Sequence, residues 1–363
     1  MSTTTSPSQP PNSILLLGAG ELGSAILTSL ATHPHLTNTH LTIALRPASL
    51  SNTSRLSALR ALAPAPRHHA ITFAGLDLAG PAAETDLTAL ILSRPHAAVI
   101  ACTGFAASGS GTASTGTQTL IARAVLAAAR KQRQLSSSSP SSPPLRFFPW
   151  QFGADYDTTG PEAAGGLMAE QCGVRALLRE EAAAAGVEWT VVSTGMFMSF
   201  VFEEWYGVVE GLGAALRAGG PEPLSDGGRV VVRGLGGWET QVTLTDVRDI
   251  GRVVAELVAE PAPVQGDGGG SVVFAAGETV TYARLAEVVQ KVVGRRAEVQ
   301  REEWSLEYLH AEMERDPKDQ TKRYRVFFGE GNGVAWDKEK TINAERNIDS
   351  MGVEQWLREK LSM

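Results

Sequence analysis

Residues 13–23 read S-I-L-L-L-G-A-G-E-L-G, an apolar run followed by glycines spaced G-x-G-x-x-G and then by helix-forming sequence with apolar Ala25, Ile26 and Leu30. That pattern suits a dinucleotide. Gly18 permits the sharp turn out of the strand, Gly20 lets the backbone approach a pyrophosphate, and Gly23 lets the helix lie close to the sheet. Free N–H groups and the positive dipole end at the helix N-terminus complete an anion cradle. Gly18, Ala19, Gly20, Glu21, Leu22 and Gly23 are therefore expected to bind the cofactor. His40–Leu45 has strand character and ends at Arg46, where an NAD-binding chain carries Asp or Glu against the ribose 2′-hydroxyl. A guanidinium suits a 2′-phosphate by charge and by its two-pronged geometry, so NADP(H) is the expected cofactor, with Arg55 or Arg60 as a second partner.

The remaining candidates sit where further strands end. Ala97–Cys102 reads as a fully apolar fourth strand, which places Thr103 and Gly104 at the carboxyl edge of the sheet, against the cofactor. Arg146–Phe152 and Val187–Ser193 read as strands five and six. Their ends put Trp150, Gln151, Thr194, Met196 and Phe197 beside a substrate, backed by Phe200, Phe202, Trp205 and Tyr206 as an apolar wall. The seven histidines show no H-x-x-x-H or Cys/His spacing, so no metal is expected. No G-x-S-x-G supports hydrolytic chemistry.

Strands at Ala70–Ala74 and the positions above alternate with helical stretches at Glu84–Ser93, Thr117–Lys131 and Glu162–Ala185, which implies a doubly wound parallel sheet. Beyond residue 194 the alternation fails. Amphipathic helices are still expected over Thr245–Glu260, from Thr281 as cap to Gly294 as stop, and over Val353–Leu361. The expected organisation is a polar, disordered leader at 1–12, a nucleotide-binding domain at 13–194 and a smaller α+β substrate lobe at 195–363, interleaved with late elements of the nucleotide-binding fold. Ala106–Gly116 and Gln134–Pro144 are low-complexity and read as surface loops, the first a candidate lid.

The 363 residues can bury a full core, and a net charge of −7 offers no general attraction to nucleic acid or acidic lipid. Two cysteines make no disulfide framework. No stretch is apolar enough for a membrane span and the N-terminus has no signal-peptide pattern, so a cytoplasmic protein is expected.

Several segments together resemble the NmrA-like and isoflavone reductase-like family of atypical short-chain dehydrogenases/reductases. They are the glycine motif, R-F-F-P-W-Q-F-G at 146–153, V-R-A-L-L-R at 174–179, W-T-V-V-S-T-G-M-F at 189–197 and V-T-L-T-D-V-R-D-I-G-R at 242–252. The resemblance implies an extended Rossmann fold that binds NADPH and reduces small molecules, in a variant similar to fungal proteins of secondary metabolism. It also implies a lysine three residues before the Val174–Arg175 pair, and that position is Gln171. A carboxamide cannot act as a general acid near neutral pH. Two readings follow. Hydride goes to an acceptor that needs no enzymic acid, such as an iminium carbon held by Asp155, Asp157, Glu203 or Glu204. Alternatively, the cofactor binds without hydride transfer, and the protein is a redox-sensing regulator acting through a protein partner.

Overall fold

The computed structural model describes residues 11–104, 116–135, 143–218, 229–266 and 268–362. The two low-complexity loops lie outside these residues except at their ends, as do residues 1–10 of the leader. The chain divides into two compact units, Met1–Gln151 with Gly173–Val192 and Ile250–Val273, and Phe152–Cys172 with Ser193–Asp249 and Phe274–Met363.

The first unit is built on one sheet. β1 (Ser13–Leu17), β2 (His40–Leu45), β3 (Ile71–Gly75), β4 (Ala98–Ala101), β5 (Leu145–Phe148) and β6 (Val187–Ser193) are joined at the edge by β11 (Gly270–Phe274), in the order β11-β6-β5-β4-β1-β2-β3. The pairings from β3 through β6 are all parallel. A central parallel strand is covered on both faces, which is why β1 and β4 are buried at every position, and apolar at all but Ser13, instead of alternating. Leu15 and Leu17 join Val99, Phe147, Val191 and the helices Ala83–Ser93, Thr117–Leu135 and the later part of Ala169–Ala185 in one core. Their neighbours Ile14 and Leu16 point to the opposite face. On that side α1 (Glu21–Thr32) lies so close to Gly251 that a Cβ there would stand 2.7 Å from the Ala25 carbonyl. The expected doubly wound parallel sheet is the observed one.

The second unit holds two small sheets. One has the order β12-β10-β7, from Glu278–Thr281, Gln241–Thr245 and Met196–Phe197, and the other β13-β9-β8, from Glu298–Ser305, Arg229–Gly236 and Val209–Glu210. The helix Tyr282–Val293 begins and stops where the sequence predicts. Thr281 accepts a hydrogen bond from the Arg284 N–H at its start, and Gly294 takes φ +60° at its end.

Two expectations need correction. The helix expected over 162–185 is two pieces, Ala163–Gly166 and Ala169–Ala185, because Ala164, Gly165 and Gly166 take positive φ and cannot continue a right-handed helix. The fifth strand stops at Phe148, since Pro149 has no N–H to continue a ladder, and Trp150 and Gln151 lie beyond it.

Candidate functional site

The glycine-rich turn is shaped by crowding below and openness above. Gly18 adopts φ +90°, and a Cβ on it would sit 3.0 Å from the Cys102 carbonyl oxygen at the end of β4. A Cβ on Gly23 would stand 2.3 Å from the Gly18 carbonyl oxygen, an impossible overlap with backbone. Gly20 differs: among the described residues a Cβ there would meet nothing within 4 Å. Two glycines therefore fold the turn onto the sheet, and the third keeps open the space over the start of α1. Gly20 stands at the N-cap of that helix and has no side chain to cap it, and the first N–H groups of a helix have no intrahelical acceptors. A diphosphate would supply those acceptors, and the open side of Gly20 gives it room, so the residues fit the dinucleotide expected of them. Ala19 and Leu22 are buried beneath the turn, while Gly20 and Glu21 are exposed.

Arg46 ends β2 as an exposed residue immediately before the short helix Pro47–Leu50. The two other arginines diverge. Arg55 donates to the Ala19 carbonyl at 3.3 Å, which brings a second cation to the glycine turn. Arg60 instead donates to the Ile71 carbonyl and lies 5.2 Å over the Phe73 ring, so it serves β3.

After β4, Thr103 is held by Gln118, whose amide donates to the Thr103 carbonyl at 3.1 Å. Gly104 is exposed and packs on Trp150, since a Cβ there would come within 2.8 Å of the indole. Burial pushes the Cys102 thiol far above its ordinary pKa, which disfavours its thiolate. Gln151 is buried and its carbonyl oxygen accepts from Arg175 Nε at 2.6 Å. In the sequence, Arg175 stands out only as part of the V-R-A-L-L-R helix motif. Its spacing from Gln151 carries no local signal, since 24 residues separate them.

The second unit accommodates the other candidates. Gln171 is buried, and the next residue, Cys172, directs its thiol at the Tyr156 carbonyl. Thr194 and Met196 are also buried, and Phe197 is partly exposed. The Thr194 N–H donates to the Gly153 carbonyl at 2.8 Å, its carbonyl accepts from Thr245 Oγ1 at 2.7 Å, and its hydroxyl has no partner among the described residues. The expected apolar wall is largely packing. Phe200 meets Trp205, Tyr206 and Tyr324 with ring centroids 4.6–5.6 Å apart, and Phe202 stacks on Trp356. Of the carboxylates considered for a cationic substrate, Asp155 caps the helix that starts at Tyr156, and Glu204 accepts from the N–H groups of Gly211 and Gly213. Asp157 and Glu203 are exposed. Among the described residues no group of His, Cys, Asp and Glu could hold a metal ion, and no helix is long and apolar enough to cross a membrane.

Residues 145–343 match the NmrA-like family. An NmrA-like family domain-containing oxidoreductase of Gibberella moniliformis (strain M3125 / FGSC 7600) is 34% identical over 353 residues, which span 96% of this chain and 98% of that relative. Among solved structures, the leucoanthocyanidin reductase–NADPH binary complex from Vitis vinifera is similar with a TM-score of 0.63 at 16% identity, over 97% of this chain and 100% of that one. The NADPH-dependent quinone oxidoreductase of Escherichia coli, complexed with NADPH, has a TM-score of 0.61 at 18% identity, over 95% and 98%. At such identities these two structures establish likeness of fold.

Proposed function

The chain belongs to the NmrA-like family, and on that premise we propose that it is an NADPH-dependent oxidoreductase that reduces a small secondary-metabolite intermediate. The observation that carries this reading is the glycine turn, closed onto the sheet at Gly18 and Gly23 and open at Gly20. The oxidoreductase relative of similar length and the two NADPH-bound reductases of like fold support it. The residues proposed to hold the cofactor are Gly18 through Gly23, Arg46, Thr103 and Gly104, with Arg55 as the second cation at the turn. When bound, NADPH supplies hydride.

The substrate is proposed to be an imine or iminium compound. A neutral ketone needs a proton on oxygen as hydride arrives at carbon, whereas an iminium carbon takes hydride and becomes a neutral amine without one. Gln171 has no proton to give near neutral pH, which favours the acceptor that asks for none. Trp150, Thr194, Met196 and Phe197 are the proposed substrate residues. Gln151, held by Arg175, orients its amide for that role.

The test is fluorescence titration with NADPH and NADH, followed by turnover with imine, ketone and enone panels. Wild type should prefer NADPH, and Arg46→Ala should weaken NADPH about 10- to 100-fold, the loss of a charged hydrogen-bonding partner, with little change for NADH. Equal weakening of both would remove Arg46 from the phosphate site. Imines should be reduced fastest, and Gln171→Lys should raise ketone turnover. Fast ketone reduction by wild type would sink the iminium reading. Tight binding without turnover on any panel would favour an NADP-sensing regulator.

A further inference from the structure

The strand β13 is a long sheet edge with little covering it. It pairs in parallel with β9 over Glu298–Ser305, eight residues, and is the outer strand of its sheet. None of its residues is fully buried, and Glu298, Arg301, Glu303 and Ser305 are exposed. Its free edge presents a row of N–H and C=O groups able to pair with another strand.

We propose that this edge joins two copies of the chain by antiparallel pairing of β13 with β13, about a two-fold axis through Glu302. The occupant follows from symmetry and charge. A two-fold axis relating antiparallel edge strands stands perpendicular to the sheet, so facing residues lie on the same side of it and must be an even number of positions apart. With the axis at Glu302, Arg301 faces Glu303 of the second copy, and Glu303 faces Arg301 of the second copy. Both side chains are exposed, lie on one face of the strand, and have no ion-pair partner among the described residues. Shifting the axis to Arg301 would set arginine against arginine, and shifting it to Glu303 would set glutamate against glutamate. Either is unfavourable for directly facing residues. In the proposed register Glu302 faces its own copy, but Arg233 of its own sheet already neutralises it, with Nε 2.7 Å from Oε2.

The apolar surroundings favour the same edge. Trp205, Leu306 and Tyr308 are three of the five large apolar side chains that are exposed among the described residues. They gather near Trp304 of β13: Tyr308 is 5.9 Å from its ring, and Arg325 both lies 4.6 Å over that ring and donates to the Trp205 carbonyl. Leu306 opens the helix Leu306–Arg315 that follows the strand directly. An exposed cluster of this kind marks an association surface.

The experiment is sedimentation velocity of the full chain from ~1 to ~100 µM, a range that reports a protomer–dimer equilibrium through its concentration dependence. Wild type should form a dimer. Arg301→Glu alone, or Glu303→Arg alone, places like charges opposite one another at both positions and should weaken that dimer about tenfold or more. The double exchange Arg301→Glu with Glu303→Arg restores opposite charges, and should recover the wild-type dissociation constant. Thermal melts of all four proteins separate weakened association from unfolding. A monomeric wild type, single variants that dimerise as wild type does, or a double exchange that fails to recover would each overturn the proposal.

Discussion

The glycine turn of the first unit and the region around Asp246 in the second achieve close packing by opposite means. In the turn, the chain gives up side chains: Gly18 and Gly23 bring backbone against backbone within a single stretch of sequence. Around Asp246, the chain uses side chains to hold segments that are distant in sequence. Asp246 Oδ2 accepts from the Trp356 indole N–H at 2.7 Å, and its Oδ1 accepts from the Arg248 N–H and guanidinium. Three residues later Asp249 accepts from the Met351 N–H, also at 2.7 Å. Asp246 and Asp249 together fasten the segment 351–356 from a single helix start. A turn made of absences is fragile to any added atom, and a clasp made of buried hydrogen bonds is fragile to any lost one.

The largest effect should come from adding one carbon to the turn. Gly23→Ala sets a methyl 2.3 Å from the Gly18 carbonyl oxygen, which only a shift of α1 or of the turn can relieve. A cost of about 2–4 kcal/mol in denaturant unfolding is expected, together with loss of NADPH binding. Gly20→Ala meets nothing within 4 Å among the described residues and should unfold like wild type. Gly20→Val, with a larger side chain over the open space, should keep the fold and lose NADPH. If Gly23→Ala and Gly20→Ala cost the same stability, the crowding account of the turn is wrong.

The clasp should respond to deletion in a comparable but smaller way. Asp246→Ala leaves the buried Trp356 N–H without its acceptor and removes one partner of Arg248, at an expected cost of about 2–3 kcal/mol. Asp246→Asn retains one acceptor and should cost about half as much. Hydrogen exchange should then report faster opening of the helix Val353–Lys360 while β1 and β4 keep their protection. Uniform loss of protection through both units would show that the clasp is not local.

The next effect concerns Gln151, which joins the two styles. Arg175→Met removes the donor to a buried amide oxygen while keeping the apolar stem, and should cost about 1–2 kcal/mol. The sharper readout is kinetic. If Gln151 orients substrate, the variant should lower turnover more than it lowers NADPH affinity, and equal losses in the two would assign Arg175 to packing alone.

These contrasts explain what could be read without coordinates. The turn was legible because its chemistry is local: residues 13–23 carry the strand, the glycines and the helix start together, and Arg46 follows the second strand at once. β6 and the helix capped by Thr281 were legible for the same reason, each bounded by its own residues. The strands β11, β12 and β13 were not, because these late strands are stabilised by partners far along the chain, and Glu298–Ser305 has the composition of a solvated loop. The breaks at Ala164–Gly166 were hidden because alanine favours helix, and only tertiary context places Ala164 at φ 46°. Asp155 and Glu204 looked like substrate carboxylates for a related reason, since a cap and a ligand use the same residue types.

The smallest expected effect lies in the first unit and tests whether its packed layer tolerates a charge. His96 is buried just before β4, with Nδ1 3.0 Å from the Ile91 carbonyl and Nε2 3.2 Å from Thr42 Oγ1. Burial lowers its pKa, against the opposing pull of the Ile91 and Arg94 carbonyls, so the folded protein favours the neutral ring. In the unfolded chain the ring takes up a proton near its ordinary value of about 6.5. The sign follows from proton uptake. Above that value the group adds no pH dependence. As pH falls below it the unfolded state binds the proton first, and stability declines until the folded ring also titrates. His96→Gln keeps hydrogen-bonding capacity without a titrating ring, and should show a flatter loss of stability below pH ~6.5 by about 1.4 kcal/mol for each unit by which the folded pKa is lowered. Parallel stability profiles for wild type and variant between neutral and mildly acid pH would mean that the ring titrates alike in both states, and that the layer between Thr42 and Ile91 admits the charge.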